Sequence, residues 1–491
     1  MENSSNLLLK YIKETPQEKL DAGALAFYAN IEKTKEVSPE IAERIVNELR
    51  DQRSNLKLIA SENYCSLSVQ SAMANLLTDK YAEGYPYHRF YAGCDNVDKI
   101  EEEAASLACE LFGADHAYVQ PHSGADANML AFLTILSAKI QQPILEELSE
   151  KDVNKMERAD FGRIREAFGK QKLLALDYYS GGHLTHGYRH NFSSMLFDSY
   201  TYKVDDETHL LDMGKLRSQL REIKPLVLLA GYSAYSRRIN FAQMRELADE
   251  AGAVLMVDMA HFAGLVAGGV FDGEYDPVPY AQVVTSTTHK TLRGPRGGLV
   301  LCKKEYKDFL NKGCPTLLGG PLPHIMAAKA IAFKEALSPQ FRLYAANIVK
   351  NARALAASLE SRGADILTGG TDNHLMLLNV HKTYGLTGRQ SESALRASGI
   401  TLNRNALPND VNGPWYSSGL RIGTPAVTTL GMGEAEMDTI AGIIDGILRH
   451  TKPSPESKAA FDTDAVESAK SKSQVKELLA RFPLYPQIAI D

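Results

Sequence analysis

The sequence has few cysteines, no excess of positive charge and no long hydrophobic run. Its 491 residues carry a formal net charge of −6 at pH 7, which argues against nucleic acid as the main partner. No apolar stretch approaches the roughly eighteen residues of a membrane-spanning helix, so we expect no membrane partner. The first ten residues have neither a signal-peptide core nor an Arg-rich transit pattern. The five scattered cysteines form no C-x-x-C pair, and together these features predict a cytoplasmic protein with reduced thiols.

The hydrophobic pattern alternates between short apolar runs and amphipathic helices. Strands separated by helices indicate an α/β protein with a largely parallel sheet. The predicted strands are residues 117–120, 173–176, 226–230, 254–258, 283–286 and 299–302. The predicted helices among them are residues 100–111, 125–137, 213–223 and 241–251.

The chain is long enough for two domains and an arm. We expect an N-terminal arm with helices at residues 1–85, a large domain at 86–330 and a smaller α+β domain at 331–491. Within the arm region, Ser38 and Pro39 begin a helix whose apolar face is predicted to contain Ile41, Ile45 and Leu49. The polar segment 453–473 is interpreted as a tether before the closing helix.

A lysine stands where residues 283–298 turn from a β-branched run into a Gly- and Pro-rich segment. This pattern places His289 and Lys290 at the end of a strand. A lysine amine is nucleophilic at neutral pH only when it is desolvated or close to another cation. His289, Arg293 and Arg296 are expected to supply positive charge, so Lys290 suits Schiff-base chemistry.

An aspartate ends another predicted strand about thirty residues before that lysine. The run 252–258 is apolar and finishes at Asp258. Pyridoxal phosphate (PLP) needs a carboxylate that keeps its ring nitrogen protonated and a lysine that binds its aldehyde. Each residue alone is equally compatible with a helix-capping aspartate or a surface lysine, so the combination carries the prediction.

A candidate phosphate loop follows the strand at residues 117–120. Ser123 and Gly124 lie where that strand is succeeded by a helix, and free amides at a helix N-terminus bind anions. A Ser-Gly pair before a helix is often only a cap. Together with Asp258 and Lys290, however, the loop favours a PLP site.

Several motifs resemble those of serine hydroxymethyltransferase, in order from about residue 58 to about residue 436. They are K-Y-A-E-G-Y-P, Q-P-H-S-G, G-G-H-L-T-H-G, V-D-M-A-H, T-T-H-K-T-L-x-G-P-R-G-G and G-T-D-N-H-L. The resemblance implies the PLP-dependent transferase (aspartate-aminotransferase-like) fold, with a mainly parallel seven-stranded sheet, a small C-terminal domain and an N-terminal helical arm. It also implies a homodimer whose active sites are shared between subunits.

The implied reaction transfers the hydroxymethyl carbon of L-serine to tetrahydrofolate, giving glycine and 5,10-methylenetetrahydrofolate. Matching the motifs assigns catalytic roles to Lys290, Glu83, Tyr91, His183, Thr287 and His289. Cofactor contacts are expected from Lys290, Asp258, His261, His183, Ser123, Gly124, Ser233, Tyr81 and Gly320, the last two from the neighbouring subunit. Substrate contacts are expected from Arg421, Ser61, Glu83, Tyr91, Leu184 and Asn405, with Arg421 gripping the carboxylate and the last two contacting folate.

Three histidines, His183, His186 and His190, lie within eight residues and could be misread as a metal site. The segment carries no acidic or cysteine ligand, so we expect no metal. His183 is instead expected to stack on the cofactor ring, and His186 to act as a hydrogen-bonding residue.

The chain departs from the family pattern in two places. Residues 138–172 add roughly thirty residues, whose charges and helical spacing predict one or two exposed helices. Phe90, Cys314 and residues 316–318 replace usual folate-side residues. Two alternatives therefore stay open: a folate-independent PLP enzyme, such as a β-hydroxy-amino-acid aldolase or an amino-acid racemase, and a non-catalytic binding protein of the same fold.

Overall fold

A computed structural model describes residues 6–148 and 152–490 of the chain. The strands, numbered in chain order, are β1 (Leu56–Lys57), β2 (Gly84–Tyr85), β3 (His88–Arg89), β4 (His116–Tyr118), β5 (Lys172–Leu176), β6 (Asp198–Tyr202), β7 (Val227–Gly231), β8 (Val254–Asp258), β9 (Val283–Thr287), β10 (Gly298–Cys302), β11 (Leu375–Asn379), β12 (Ile400–Thr401), β13 (Asn403–Asn405), β14 (Gly419–Gly423), β15 (Thr451–Ser454) and β16 (Ser457–Thr463).

The α-helices are numbered in the same way. They are α1 (Leu7–Glu14), α2 (Ala22–Val37), α3 (Pro39–Ser54), α4 (Leu67–Met73), α5 (Asp95–Phe112), α6 (Gly124–Leu136), α7 (Gln142–Glu147), α8 (Arg158–Gly169), α9 (Phe192–Leu196), α10 (Met213–Ile223), α11 (Phe241–Ala251), α12 (Ala263–Ala267), α13 (Lys307–Leu310), α14 (Pro323–Ala336), α15 (Pro339–Ser361), α16 (Val380–Tyr384), α17 (Gly388–Ala397), α18 (Gly413–Tyr416), α19 (Pro425–Thr429), α20 (Glu434–Arg449) and α21 (Ala465–Arg481).

A seven-stranded sheet in the order β4-β10-β9-β8-β7-β5-β6 forms the centre of the molecule. Its β5–β6, β5–β7, β7–β8 and β8–β9 pairs are parallel, whereas β10 runs antiparallel to both β9 and β4. Every residue of β7, β8, β9 and β10 is buried, because helices cover both faces of the sheet. The predicted α/β fold with a mainly parallel seven-stranded sheet is confirmed.

The register of the parallel strands determines where the functional residues meet. Gly231 is paired with Asp258, and Asp258 with Thr285, so the carboxyl ends of β7, β8 and β9 lie at one edge. Ligands of open α/β sheets bind outside such carboxyl ends. The chain leaves β9 at this edge and reaches Lys290 three residues later.

A second sheet, in the order β11-β14-β13, lies in the C-terminal part of the chain. It has a hydrophobic cluster of its own, to which α15, α17 and α20 contribute Leu355, Leu395 and Ile444. Its β14 strand brings Arg421 to the large sheet, where the guanidinium reaches Ser233. Residues from both parts of the chain therefore surround one site.

The N-terminal helices pack against the C-terminal end of the chain. Tyr28 of α2 is buried, and its hydroxyl donates to the Ala489 carbonyl over 2.6 Å. The prediction for the apolar face of α3 was wrong in part. Ile41 and Ile45 are exposed and Leu49 is buried, whereas Ala42 and Val46 face the core, because packing on α2 sets the rotation of this helix.

The predicted tether at residues 453–473 is also wrong. The β15 and β16 strands form an antiparallel hairpin, and α21 begins at Ala465. Polar side chains of α17 hold the hairpin: Gln390 Nε2 donates to the Ala460 carbonyl over 2.8 Å, and Thr387 Oγ1 to the Lys458 carbonyl over 2.8 Å. Among the described residues, no helix combines the length and the hydrophobicity that a bilayer crossing requires.

The docking of this hairpin can be tested with Gln390→Ala. We expect several-fold faster trypsin cleavage after Lys458, because the variant loses the Nε2 donor that binds the carbonyls of Ser457 and Ala460. Mass spectrometry of limited digests measures the rate, with Ser393→Ala on the same helix as the control. Rapid cleavage of the wild-type protein at Lys458 would instead indicate a tether.

Candidate active site

A cavity of about 320 Å³ lies between the carboxyl edge of the large sheet and the β13–β14 strands. It brings together eight of the predicted site residues. These are Ser61, His183, Leu184, Ser233, His261, Lys290, Asn405 and Arg421. Tyr178 and Arg404 also line it, and neither was predicted from the sequence.

Lys290 lines this cavity and is half-buried there. Burial lowers the pKa of the Lys290 amine to about 8, the Asp258 carboxylate opposes this change, and the charges of Arg421 and Arg296 add to it. The amine is thus easily deprotonated near neutral pH, as a nucleophilic lysine requires.

Two neighbours of Lys290 differ from the prediction. Burial, with the charges of Lys290 and Arg296, lowers the pKa of His289 to about 3, so its ring is neutral and supplies no positive charge. Arg293 has a left-handed φ of 60° and its guanidinium lies 4.5 Å from the Tyr344 ring centroid. Of the three expected cations, Arg296 is therefore the one that acts on the amine.

Asp258 ends β8 and accepts three hydrogen bonds. Its Oδ1 accepts from the Ala260 amide over 3.0 Å, and its Oδ2 accepts from Asn128 Nδ2 over 2.8 Å and from His186 Nε2 over 3.3 Å. Burial alone would raise the pKa of Asp258, but the His186 hydrogen bond and the charge of Lys290 hold it below its ordinary value. The carboxylate is therefore ionised at neutral pH.

Asn128 is a site residue that the sequence analysis missed. Besides Asp258, its Nδ2 donates to Thr185 Oγ1 over 2.7 Å, and its Oδ1 accepts from Thr285 Oγ1 over 2.5 Å. This one amide links α6, β8, β9 and the 181–187 loop. A signal was present, because Asn128 is a polar residue one helical turn after Gly124 in a mostly apolar helix.

His183 and His186 take separate positions. Burial lowers the pKa of His183 to about 4, so its ring is neutral, and its Nδ1 lies 2.8 Å from Thr185 Oγ1. His186 contacts Asp258, as expected of a hydrogen-bonding residue. In the part of the chain that the structure describes, no three His, Cys, Asp or Glu side chains come together as metal ligands.

His261 forms a buried pair with His374. The His261 Nδ1 lies 3.1 Å from His374 Nε2, and the two rings are stacked with centroids 5.3 Å apart. Burial lowers the pKa of His374 to about 3, and that of His261 also lies well below its ordinary value, so both rings are neutral. His374 belongs to the quoted G-T-D-N-H-L motif, but the motif itself does not reveal this pairing.

Arg421 is the cation opposite Lys290 in the cavity. Its Nη1 donates to the Ser233 carbonyl over 2.7 Å and its Nε to Asn403 Oδ1 over 3.1 Å. Burial lowers the pKa of Arg421 to about 10, which still leaves the guanidinium charged at neutral pH. Two hydrogen bonds fix its orientation, and its remaining N–H groups are available to a carboxylate.

The candidate phosphate loop has the predicted strand–loop–helix form. Ser123 caps α6 by accepting from the Asp126 amide over 3.1 Å, which leaves the amides of Gly124 and Ala125 without intrahelical acceptors. A Cβ on Gly124 would lie 2.7 Å from Thr287 Cγ2, so only glycine allows this approach to β9. The Asp126 carboxylate lies 3.9 Å from His122 Nδ1.

Four predicted residues lie together outside the cavity. Tyr81 Oη donates to Glu83 Oε1 over 3.4 Å, the Tyr81 and Tyr91 ring centroids are 4.9 Å apart, and a Cβ on Gly320 would lie 3.2 Å from Tyr81. Tyr81 and Tyr91 are exposed. Within one chain, Tyr81, Glu83, Tyr91 and Gly320 therefore do not line the cavity that contains Lys290.

Arg89 holds the loop on which Glu83 stands. Its Nη1 donates to the carbonyls of Ala82 and Gly84, which flank Glu83, over 2.9 and 3.1 Å. The buried guanidinium also pairs with Glu101 of α5 over 2.6 Å. The loop is thus anchored although its aromatic side chains are exposed.

A family model of serine hydroxymethyltransferase matches residues 34–146 and 166–444 of the chain. The chain belongs to the serine hydroxymethyltransferase family. A serine hydroxymethyltransferase of Treponema pallidum (strain Nichols) is 55% identical over 493 residues, which cover 99% of this chain and 85% of the relative. One of Cutibacterium acnes is 53% identical over 94% of this chain and 95% of the relative, and one of Chlamydia trachomatis serovar D is 50% identical over 99% of each.

Membership of the serine hydroxymethyltransferase family confirms the predicted activity and enzyme class, with PLP as cofactor and tetrahydrofolate as co-substrate. The site fits PLP on its own observations. An amine of lowered pKa, a buried carboxylate held ionised by three donors, and the amides of a helix N-terminus that lack intrahelical acceptors match the aldehyde, ring nitrogen and phosphate of PLP.

The predicted insertion at residues 138–172 includes the segment that the serine hydroxymethyltransferase model leaves unmatched, residues 147–165. Its described residues include α7 and α8, and Leu145 and Ile164 are buried against the molecule. The predicted helices are thus present, whereas residues 149–151 lie outside the described residues. The Treponema relative aligns over 99% of the chain, so it shares this segment.

The pKa of Lys290 can be measured by reductive methylation of the cofactor-free protein over a range of pH. We expect a midpoint near pH 8 for Lys290, with the reactive neutral amine above it and the cation below it. Exposed lysines of the same digest should have midpoints of about 10.4. Arg421→Met should raise the Lys290 midpoint because it removes a nearby positive charge. Equal midpoints for Lys290 and the exposed lysines, read by mass spectrometry, would contradict the assignment.

Proposed function

We propose that the cavity around Lys290 is where this chain transfers the hydroxymethyl carbon of L-serine to tetrahydrofolate, giving glycine and 5,10-methylenetetrahydrofolate. One observation supports this most strongly: an amine of lowered pKa, a buried carboxylate and a half-buried guanidinium, those of Lys290, Asp258 and Arg421, lie together at the carboxyl edge of the sheet. That set matches the three polar requirements of an amino-acid site built on PLP.

PLP, when bound, supplies an aldehyde for an amine and a ring that withdraws electrons from the carbon being cleaved. Lys290 would hold the aldehyde and Asp258 the protonated ring nitrogen. The neutral His183 ring would stack on the ring face, with His261 and Ser233 at its phenolic oxygen. Gly124 and Ser123 would hold the phosphate, and Thr287 lies behind them, its Oγ1 donating to the Ala260 carbonyl over 3.3 Å.

Arg421 would bind the serine carboxylate, assisted by Ser61 across the cavity. Its hydrogen bonds to Ser233 and Asn403 hold the guanidinium in one orientation, so the carboxylate is gripped in a fixed geometry. Such a grip sets which bond of the substrate lies perpendicular to the cofactor ring. His289, which is neutral, would act beside Lys290 as a hydrogen-bonding group rather than as a charge.

A second copy of the chain would complete each site. Tyr81, Glu83, Tyr91 and Gly320 do not line the cavity of their own chain, and the aromatic rings among them are exposed. In a homodimer with shared sites, Glu83 of one chain would carry the proton of the hydroxymethyl oxygen in the other. Tyr81 and Gly320 would meet the phosphate, and Tyr91 the reacting serine.

The folate would enter at the rim of the same cavity. Leu184 is 44% exposed there, which suits contact with an aromatic ring of the co-substrate, and Asn405 lies on the facing strand β13. The unusual Cys314 has a structural role, because its Sγ accepts from the Gly84 amide over 3.0 Å and contacts the Gly319 carbonyl. Phe90 is exposed on the loop that also carries Glu83 and Tyr91.

The three-region division, residues 1–85, 86–330 and 331–491, is part of this proposal, as is a cytoplasmic location. The separate hydrophobic clusters of the large sheet and the β11-β14-β13 sheet support a division into a large and a small domain, but the change from one cluster to the other falls within α15, between Val349 and Ala352, rather than at residue 331. The free state of all five cysteines is compatible with a reducing compartment.

The shared site can be tested by mixing Lys290→Ala with Glu83→Gln. Each homodimer alone should form glycine from serine and tetrahydrofolate at less than about a hundredth of the wild-type rate. After mild unfolding and refolding together, hybrid dimers contain one site with both wild-type residues. Activity should then return to about a quarter of the wild-type value, since about half of the dimers are hybrid.

The mixture of Lys290→Ala with Lys290→Ala,Glu83→Gln is the matched control, because no combination of those chains has an intact Lys290. The first mixture could form hybrid dimers and still regain no activity. That result would mean that Glu83 and Lys290 of one site come from the same chain. Full activity of Lys290→Ala alone would contradict the proposed function itself.

A further inference from the structure

Lys329, on α14, is buried, and no carboxylate among the described residues hydrogen-bonds it. Its Nζ donates instead to three backbone carbonyls, those of Val119 over 2.5 Å, Gly298 over 2.8 Å and Pro121 over 3.0 Å. An ammonium group has three N–H donors, so these carbonyls satisfy it completely.

Burying an ammonium group without an adjacent carboxylate is unfavourable in free energy. The lowered pKa of Lys329 reflects this penalty. Burial lowers the pKa of Lys329 to about 7, and the more distant carboxylates of Glu101 and Asp126 offset only part of that change. An apolar side chain of similar length would avoid the penalty. The presence of lysine here therefore calls for a role other than packing.

The three carbonyls belong to the two segments that enclose the candidate phosphate loop. Val119 and Pro121 lie between β4 and the Ser123 cap, and Gly298 begins β10. In a trans peptide the carbonyl and the following N–H point in opposite directions. Fixing the Pro121 carbonyl on Lys329 therefore directs the His122 amide away from Lys329.

The same contacts tie the phosphate loop to the turn that carries Lys290. The Gly298 amide donates to the Pro121 carbonyl over 2.9 Å, and the Thr288 amide donates to the Gly297 carbonyl over 3.1 Å. A Cβ built on Gly297 would lie 2.6 Å from Lys329 Cε, so the lysine tip lies directly against this junction. Among the side chains of residues 6–148 and 152–490, Lys329 is thus the one that hydrogen-bonds both residues 119–121 and Gly298.

We propose that Lys329 is a positioning residue for the cofactor phosphate: its three hydrogen bonds hold residues 119–121 and 298 so that the amides at the start of α6 face the phosphate. This inference rests on the proposed function. Lys329 itself touches neither cofactor nor substrate and acts through the backbone of the loop.

The test compares two ligands that differ only in the phosphate, PLP and pyridoxal. Lys329→Met should weaken binding of PLP to the cofactor-free protein at least about tenfold, because three carbonyls lose the Lys329 hydrogen bond and the loop shifts. Binding of pyridoxal should change less than about twofold. Equilibrium titrations followed by absorbance give both dissociation constants.

Two further variants serve as a control and as an alternative to Lys329→Met. Lys334→Met removes an exposed lysine from the same helix and should change neither constant. Gly297→Ala keeps Lys329 but displaces its tip, and should reproduce the selective loss of PLP binding if Lys329→Met does not fold.

Equal weakening of PLP and pyridoxal, or no weakening of either, in the folded variants would overturn the role of Lys329. Failure of the wild-type protein to bind PLP would instead overturn the proposed function, and this inference with it. The wild-type titration therefore distinguishes the two failures.

Discussion

The buried carboxylate of Asp258 is the interaction on which the rest of the site depends. It lies at the end of β8, where water is excluded, and remains ionised because Ala260, Asn128 and His186 donate to it. Its negative charge opposes the loss of the proton from the Lys290 amine, which burial and the charges of Arg421 and Arg296 favour. The parallel pairing of β7, β8 and β9 makes the arrangement possible, since it places three strand ends side by side.

Many of the strands, helices and turns that form the site could be predicted from the sequence, because they depend on neighbouring residues. The β8 strand, the helices at 213–223 and 241–251 and the turn after β9 follow from hydrophobic period and from Gly and Pro. The contacts of Asn128, His374 and Lys329 could not be predicted, because their partners are distant along the chain and depend on packing. The face of α3 and the β15–β16 hairpin were mispredicted for the same reason: tertiary contacts outweighed local composition.

Within one chain, the predicted site residues fall into two groups, one inside the cavity and one outside it. The cavity of one chain holds the groups for the cofactor and the amino-acid carboxylate, whereas Glu83 and Tyr91 stand on an exposed, firmly anchored loop. The resemblance implies a site shared between two chains, and the position of Glu83 and Tyr91 outside the cavity of their own chain supports that proposal. The departures from the family pattern are accommodated within the fold, with Cys314 hydrogen-bonded to the backbone and α8 on the surface.

The measurement that tests the account most directly is the visible absorbance of the purified protein with PLP, followed as glycine and then tetrahydrofolate are added. The account predicts a change on adding glycine that increases strongly when tetrahydrofolate follows. A glycine-dependent change that is indifferent to tetrahydrofolate would contradict it and favour a folate-independent PLP enzyme. A protein that binds PLP but shows no change with glycine would contradict catalysis at this site altogether.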